Sequence, residues 1–262
     1  MSDTLQIVIE HRVARIALNR PDLHNAFDDA LIADLTDALA RMGAHPGVRA
    51  VVLTGNGASF SAGADLAWMR RMAKASEEDN RADAERLAAL MRTLNFLPKP
   101  TIARVIGAAF GGGVGLIACC DIAVAADSAK FGLSEVKLGL VPAVISPHVI
   151  AAIGLRAARR LFMSGETIDT REAQRIGLVH EIATIDDLDA AVDRQLELLG
   201  KGGPVAQREG KALALRVAGF GEAQAAGVDR DNAALIARLR ASAEGQEGVA
   251  AFLEKRKPHW IE

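Results

Sequence analysis

Cysteine is scarce in this chain: its 262 residues include two, Cys119 and Cys120, and these are adjacent. Neighbouring cysteines rarely satisfy disulfide geometry, which excludes a disulfide-stapled secreted fold. We therefore interpret both as reduced core residues of a cytoplasmic protein. Long apolar runs are also lacking, because the longest, Gly107 to Cys120, is too short and too glycine-rich to span a bilayer. Residues 1–10 lack the apolar core of a secretory signal, so we expect no membrane segment.

No sign of charge dominates the sequence. The 31 lysines and arginines nearly balance the 33 aspartates and glutamates, which leaves a net charge of -2. Without a basic excess we expect neither nucleic acid nor an anionic membrane surface as a partner. Half of the residues are hydrophobic, which excludes disorder and predicts a sizeable core. The length fits one large domain, or a large domain with a small appendage.

Several signatures of cofactor and metal sites are missing. A dinucleotide-binding glycine pattern fails at Leu116, which stands where the third glycine is required. The Walker loop and the Gly-x-Ser-x-Gly elbow are absent, and His180-Glu181 has no second histidine at zinc-site spacing. We therefore expect no metal and no separate cofactor.

The apolar pattern predicts an α/β fold that gives way to helices. The predicted strands cover residues 6–10, 13–19, 50–54, 101–106 and 121–125. Helical segments separate the later strands, which predicts parallel α/β layers. From about residue 151 the pattern is mostly helical. The predicted helices of this half cover residues 156–163, 170–176, 188–199, 205–217, 222–241 and 248–257. We divide the chain into a core, residues 1–203, and a helical C-terminal region, residues 204–262.

Two glycine-containing segments follow buried strands and can present backbone N–H groups to a ligand. The first is the loop from Ser59 to Asp65, and the second is Gly111-Gly112-Gly113, which opens a helix. Glycine permits close approach, and the first turn of a helix leaves unpaired N–H donors at its positive end. Two such donors aimed at one point form an oxyanion hole. Each segment alone is equally consistent with ordinary helix–strand packing.

Six motifs, taken in order, resemble the crotonase (enoyl-CoA hydratase/isomerase) family over almost the whole chain. They are Asn19-Arg20-Pro21 with Asn25-Ala26, Phe60 to Leu66, Gly107 to Gly113 with Cys120-Asp121, Phe131 to Gly139, Thr167 to Val179, and Ala251 to Pro258. The resemblance implies a ClpP/crotonase-type spiral of β-β-α units with a helical C-terminal trimerisation region. It also implies an acyl-CoA substrate, with coenzyme A carried as part of that substrate.

The resemblance implies roles for individual residues. The oxyanion donors would be the backbone N–H groups of Ala64 and Gly112, and Glu135 matches the family's second catalytic glutamate. An apolar pocket would raise the pKa of Glu135 towards neutrality, which suits acid–base catalysis. The implied coenzyme A contacts are Ala62, Asp65 and Leu66 and, from a tail that reaches a neighbouring subunit, Phe252 and Lys255. Charge pattern alone would make Lys255 an ordinary solvated lysine.

The sequence departs from the family pattern in two places. Gly115 occupies the position of the family's first catalytic glutamate, and Val141 to Pro147 replaces a glycine-rich turn that lines the acyl pocket. These departures resemble a bacterial subgroup that hydrates branched or carboxylated enoyl-CoAs, such as 3-methylglutaconyl-CoA of leucine breakdown. A substrate carboxylate, a second water, Ser146 or His148 could stand in for the missing glutamate.

The resemblance implies syn addition of water across an α,β-unsaturated acyl-CoA. Isomerisation stays an alternative, because one glutamate is enough to move a proton between two carbons. A catalytically silent relative that binds acyl-CoA or RNA is a third possibility, although the near-neutral charge counts against RNA. The family's assembly implies a homotrimer or a hexamer built as a dimer of trimers.

Overall fold

Two sheets and a set of surrounding helices make up residues 3–262, the part of the chain described by the computed structural model. The strands are β1 (Leu5–Glu10), β2 (Val13–Leu18), β3 (Ala50–Gly55), β4 (Ser59–Ser61), β5 (Thr101–Val105), β6 (Ala108–Phe110), β7 (Ile122–Ala126), β8 (Lys130–Gly132), β9 (Thr167–Asp169) and β10 (Glu181–Ala183). The α-helices are α1 (Asp29–Ala44), α2 (Leu66–Ala73), α3 (Glu77–Asn95), α4 (Gly112–Cys119), α5 (Ser146–Ser164), α6 (Thr170–Arg175), α7 (Leu188–Gly200), α8 (Pro204–Val217), α9 (Glu222–Ala241) and α10 (Ala243–Leu253).

Successive β-β-α units give one strand to each sheet. Strands β3, β5 and β7 are parallel neighbours in the six-stranded sheet, whose order is β1-β2-β3-β5-β7-β10. Strands β4, β6 and β8 are parallel neighbours in the four-stranded sheet, whose order is β4-β6-β8-β9. Each unit advances both sheets by one strand, so the chain winds as a spiral. The predicted α/β fold of β-β-α units is confirmed.

The pairing of β4 with β6 brings two distant loops together. Because these strands run parallel and are hydrogen-bonded, the chain segments that follow them leave the sheet on the same edge. One segment leads into α2 and the other into α4. The two glycine-containing segments singled out in the sequence are therefore neighbours in space.

The core explains the uninterrupted apolar runs of the inner strands. In β3, Val51 and Leu53 pack in the largest apolar cluster, whereas Val52 belongs to a separate apolar cluster that includes Leu188 of α7. A strand covered on both faces needs no polar side chains, as the sequence predicts for 50–54. None of the helices in residues 3–262 combines the length and apolar character that a membrane span requires.

The C-terminal helices cover the spiral unequally. Helix α9 lies along α3, and its Ala233 and Ile236 share an apolar cluster with Val144. Helix α8 buries none of its residues. The helix predicted over 248–257 is wrong at both ends: the Ser242 hydroxyl caps α10 at its start, and α10 ends before Lys255, which has a left-handed φ of 55°.

Candidate active site

The loop after β4 leaves the main-chain amide of Ala64 without a hydrogen-bond partner among residues 3–262. Phe27 N–H donates to Gly63 O at 2.6 Å, and Asp65 N–H donates to Phe27 O at 2.8 Å. These bonds fix the peptide units on both sides of Ala64. Since N–H and C=O point in opposite directions in a trans peptide, the bond to Gly63 O directs Ala64 N–H away from Phe27. The amide is thereby held ready to donate to a ligand.

The second loop turns sharply at Gly111, between β6 and α4. Gly111 has a φ of 49°, in the left-handed region that favours glycine. A Cβ at this position would lie 3.1 Å from Oε1 of Glu135, so glycine also makes room for that carboxyl group. Gly112 N–H opens α4 and, within the described chain, has no acceptor, as is usual for the first amides of a helix.

The two loops that carry these amides meet at one cavity. A Cβ on Gly111 would lie 4.0 Å from the Cα of Gly63, so the loops are in contact. Ala64 and Gly112 both line a cavity of about 510 Å³. The positive end of α4 adds to the attraction for negative charge at this point. The pair can therefore bind a carbonyl oxygen and stabilise charge that develops on it.

Glu135 brings a carboxyl group to the same cavity. The residue is partly exposed as a whole, but its Oε2 atom is buried and has no hydrogen-bond partner among the described residues. Burial raises the pKa of Glu135 to about 7, against a smaller lowering by a hydrogen bond from its own backbone. A carboxyl with this pKa can accept and return a proton near neutral pH.

A hydrocarbon side chain occupies the space beside Gly115, the position at which the family resemblance implies a second carboxylate. A Cβ on Gly115 would lie 2.3 Å from Cγ2 of Ile145 and 3.2 Å from Cε of Met91. Ile145 belongs to the segment that replaces the family's glycine-rich turn, so the two departures from the pattern are in contact. Among the described residues that line the cavity, Glu135 is the one acid. The site therefore offers a single carboxyl group.

Ser146 and His148, the two side chains considered as substitutes for that carboxylate, lie outside the cavity wall. The Ser146 hydroxyl donates to Ala143 O at 2.7 Å. His148 is buried, and burial lowers its pKa to about 4, which keeps the ring neutral. Water or the substrate itself remains as the source of a second polar group.

Known proteins share both the sequence pattern and the fold of this chain. The profile described as enoyl-CoA hydratase/isomerase matches residues 8–262. The chain belongs to the enoyl-CoA hydratase/isomerase family. A putative enoyl-CoA hydratase of Thermus thermophilus is 38% identical over 248 residues, which is 95% of this chain and 97% of that protein.

Two crystal structures of family members extend the comparison to the fold. An enoyl-CoA hydratase from Shewanella pealeana is 44% identical, with a TM-score of 0.80 over 98% of this chain and 96% of that one. An enoyl-CoA hydratase from Mycobacterium avium is 36% identical, with a TM-score of 0.87 over 100% of both chains. The β-β-α spiral is therefore the fold of this family.

Within this family member, the cavity extends from the two amides to a wall formed by α2 and α9. Trp68, Met69 and Ile236 make that wall largely apolar, and Arg240 adds a positive charge. Arg240 Nη1 donates to Asp83 Oδ2 at 3.0 Å, and the guanidinium lies 5.5 Å from the Trp68 ring centre. Nε and Nη2 of Arg240 have no hydrogen-bond partner among the described residues. Sequence reasoning missed Arg240, because its position on α9 gives no sign that it reaches the cavity.

The coenzyme A contacts implied for the first loop differ in their surroundings. Ala62 lines the cavity beside Ala64. The Asp65 carboxylate instead caps α2, accepting from Trp68 N–H at 3.0 Å, and Leu66 is 48% exposed outside the cavity wall. A role for Asp65 and Leu66 in binding coenzyme A stays a prediction.

One of the two implied tail contacts, Phe252, lies on the chain's own cavity. Phe252 lines that cavity, together with Arg256, whereas Lys255 is not among the lining residues. The expected contact of Phe252 and Lys255 with a neighbouring subunit's coenzyme A stays a prediction. Lys137, two residues after Glu135, is a cation of the cavity wall that sequence reasoning did not single out.

The two cysteines are chemically inert. Cys119 and Cys120 are free and buried, and burial raises the pKa of Cys120 to about 12, so both stay as thiols. Residues 3–262 contain no group of three or more His, Cys, Asp or Glu side chains arranged to hold a metal ion.

Proposed function

We propose that this chain hydrates α,β-unsaturated acyl-CoA thioesters. The observation that carries the proposal is the meeting, at one cavity, of two unpaired amides, Ala64 and Gly112, with the single carboxyl of Glu135. The names of the related enoyl-CoA hydratases support the same reaction. When water attacks the β-carbon of an enoyl thioester, negative charge moves onto the carbonyl oxygen, which is the charge that paired amides stabilise.

The proposed steps need one carboxylate. The thioester oxygen accepts hydrogen bonds from Ala64 N–H and Gly112 N–H, and Glu135 takes a proton from water. The water oxygen bonds to the β-carbon while the electron pair of the double bond moves towards the thioester. Glu135 then passes the proton to the α-carbon, so that one water is added and the carboxylate is restored. The addition is syn, because one carboxyl group serves both carbons from the same side.

Replacing Glu135 by glutamine tests these steps. We expect Glu135→Gln to lower kcat for crotonyl-CoA hydration by about 10²–10⁴-fold, because an amide cannot take the proton from water. KM should change less, since both oxyanion amides remain. The matched control is Glu166→Gln, which removes an exposed carboxyl outside the cavity. An unchanged rate in Glu135→Gln removes this residue from the mechanism.

We further propose an acyl group that is branched or carries a distal carboxylate, as in 3-methylglutaconyl-CoA. Arg240 supports this proposal, because its Nε and Nη2 are unpaired on the cavity wall. A guanidinium fork binds carboxylates through paired, charge-assisted hydrogen bonds. Met69 and Ile236 beside it offer apolar surface to a branched carbon chain.

The acyl proposal is tested by substrate preference. We expect the wild type to favour 3-methylglutaconyl-CoA over crotonyl-CoA in kcat/KM by about 10-fold or more, the effect of one charged hydrogen bond. Arg240→Gln should lose most of this preference. Arg86→Gln is the matched control, because Arg86 also pairs with Asp83 but is exposed and outside the cavity. An equal preference in Arg240→Gln and wild type contradicts the acyl proposal and leaves the hydratase proposal standing.

Double-bond isomerisation is the second candidate reaction. The contact between Ile145 and Gly115 favours it, because a single carboxylate can move a proton between two carbons without holding water. Incubation with a 3-enoyl-CoA in heavy water separates the candidates. A shifted double bond that carries deuterium, without a hydroxyacyl product, supports isomerisation. An unchanged 3-enoyl-CoA, together with a 3-hydroxyacyl product from crotonyl-CoA, supports hydration, because water adds to a double bond that is conjugated with the thioester.

We also propose that the protein assembles as a homotrimer or as a hexamer of two trimers. Helix α8 buries no residue within the single chain, and Val205, Leu213 and Val217 on one of its faces are exposed. Exposed apolar patches of this kind are typical of protein contact surfaces.

A further inference from the structure

The segment between β2 and α1 takes no part in the proposed steps, yet its arginine reaches the oxyanion loop. The Arg20 side chain is 16% exposed. Its Nη1 donates to Ala26 O at 2.6 Å, and its Nη2 lies 2.8 Å from Asp28 Oδ2 and 3.5 Å from Asp65 Oδ2. One guanidinium thereby joins the segment before α1 to the segment before α2.

Both aspartates are fixed at helix starts. Asp28 Oδ1 accepts from Leu31 N–H at 2.9 Å, and Asp65 Oδ1 accepts from Trp68 N–H at 3.0 Å. Each carboxylate caps a helix with one oxygen and offers the other to Arg20. Arg20 therefore sets the distance between two helix starts, and residues 26–28 and 63–65 lie directly before them.

Phe27 lies between these fixed points and touches both oxyanion donors. Its N–H donates to Gly63 O, the carbonyl of the same peptide unit that carries Ala64 N–H. That bond orients the Ala64 amide and polarises its peptide unit, which makes the N–H a stronger donor. The Phe27 ring packs against Gly112, where a Cβ would lie 3.1 Å from ring atom Cε2.

We propose that Arg20 is a positioning residue for the oxyanion hole, acting through Asp28, Asp65 and Phe27. Arg20 is not among the residues that line the cavity, so it acts without touching the substrate. The role rests on the proposed function, because it requires a thioester carbonyl between the two amides. A misplacement of about 1 Å in a reacting group can slow a reaction about 10²-fold. Loss of Arg20 should therefore lower kcat more than it weakens substrate binding.

The kinetic test compares wild type, Arg20→Gln, Arg20→Lys and Arg71→Gln. Arg71 is the matched control: it pairs with Asp29 and also joins α2 to α1, but both side chains are about half exposed, at 52% and 49%. We expect Arg20→Gln to lower kcat for crotonyl-CoA about 10–100-fold, with KM changed less than about threefold. Arg20→Lys should recover part of the rate, because an ammonium pairs with a carboxylate but lacks the guanidinium fork. Arg71→Gln should match the wild type.

An infrared measurement separates positioning from support of the fold. Butyryl-CoA has no carbon–carbon double bond to hydrate. Its carbonyl stretch falls in frequency when the amides of the enzyme polarise the bound carbonyl. We expect a smaller fall in Arg20→Gln and an intermediate one in Arg20→Lys. A lower melting temperature with unchanged kcat per folded enzyme and an unchanged stretch overturns the proposal.

The kinetic and infrared measurements also cover two further cases: an Arg20→Gln variant that does not fold, and a wild type that hydrates no enoyl-CoA. If Arg20→Gln does not fold, Arg20→Lys and Asp28→Asn are compared instead, since asparagine still caps α1 but lacks the charge that pairs with Arg20. Wild-type rate and stretch in both of these variants overturn the proposal. If the wild type shows the carbonyl shift but hydrates no enoyl-CoA, the proposed function fails and the positioning role stands.

Discussion

At the residue scale, the buried carboxyl of Glu135 links the chemistry of the site to the stability of the fold. Its pKa is raised by burial from the ordinary 4.5 to about 7. Between these two values the folded chain binds more protons than the unfolded chain, so the free energy of unfolding falls as the pH rises. This pKa shift corresponds to about 3 kcal/mol of the free energy of unfolding, and that contribution is fully lost above pH 7.

Glu135→Gln should therefore stabilise the protein at high pH. Glutamine carries no charge to bury, so we expect the variant to exceed the wild type by about 1–3 kcal/mol in the free energy of unfolding at pH 8. At pH 4.5 the two should differ little. Urea denaturation at both pH values measures this, with Glu166→Gln as the control. Parallel pH dependences for wild type and Glu135→Gln would show that the carboxyl is not destabilised by burial.

The rate should follow the ionised form of Glu135. For crotonyl-CoA hydration we expect kcat/KM to rise with pH through about 7, the pKa of this carboxyl in the free enzyme. Dehydration should show the same rise, because the overall reaction releases no proton and the ratio of the two kcat/KM values is an equilibrium constant. Initial rates in both directions from pH 5 to 9 test this. A bell-shaped profile of kcat/KM against pH, with two carboxyl pKa values, would point to a second acid in the cavity.

The contact between Ile145 and Gly115 makes a double substitution informative. Gly115→Glu alone should be destabilised by about 1–3 kcal/mol, because its Cβ would lie 2.3 Å from Ile145 Cγ2. Adding Ile145→Ala frees the space, so the double variant should be more stable than the sum of the two single changes predicts. It should also gain a second carboxyl pKa in its rate profile. Additive losses of stability would mean that the two side chains do not compete for the same space.

At the scale of elements, the sequence pattern predicts individual strands and helices, but it does not predict how segments that are distant in the chain pack together. Strands β1, β2, β3, β5 and β7 were predictable, because β-branched runs and helical stripes follow one another along the chain. The three-residue strands β4 and β6 were not predicted from this pattern, and the β-β-α spiral was implied by the family resemblance. The two glycine-containing segments were identifiable for the same reason, since each follows a predicted buried strand. The filling of the space beside Gly115 by Ile145 was not predictable, because it depends on how α4 meets a segment far along the chain. The position of Arg240 on the cavity wall likewise depends on the packing of α9 against α3.

The packing of α9 on α3 includes an ion pair whose burial is energetically unfavourable. Asp229 of α9 is buried against Arg92 of α3, and burial raises the Asp229 pKa more than Arg92 lowers it. Desolvation therefore outweighs the attraction between the two charges. Arg92→Leu should destabilise the fold by about 3 kcal/mol, because it leaves an uncompensated buried carboxylate. The double variant Arg92→Leu/Asp229→Leu should lose less. Chemical denaturation measures both, and a double variant less stable than Arg92→Leu would contradict this account.

At the scale of the whole molecule, the cavity and the exposed face of α8 are formed by different parts of the chain. The residues that line the cavity include Ile236 of α9 and Val249 of α10. Helix α8 contributes nothing to that cavity and leaves Val217 77% exposed. We therefore expect assembly to depend on α8 and substrate binding to depend on α9 and α10.

Charged residues on the exposed face of α8 should separate assembly from substrate binding. Light scattering should give the wild type a mass of three or six chains of 27.6 kDa each. Leu213→Glu/Val217→Glu should shift the mass towards one chain, because carboxylates cannot be buried unpaired in an apolar contact. Arg208→Glu, which lies outside this face, is the control and should leave the mass unchanged. The dissociated variant should still bind butyryl-CoA, since the residues that line the cavity are unchanged, although it would lack the predicted contacts of Phe252 and Lys255 from a neighbouring subunit. Its melting temperature should fall, because the subunit contact is lost. A wild type that runs as one chain, or an assembly indifferent to both substitutions, would mean that α8 does not form the interface.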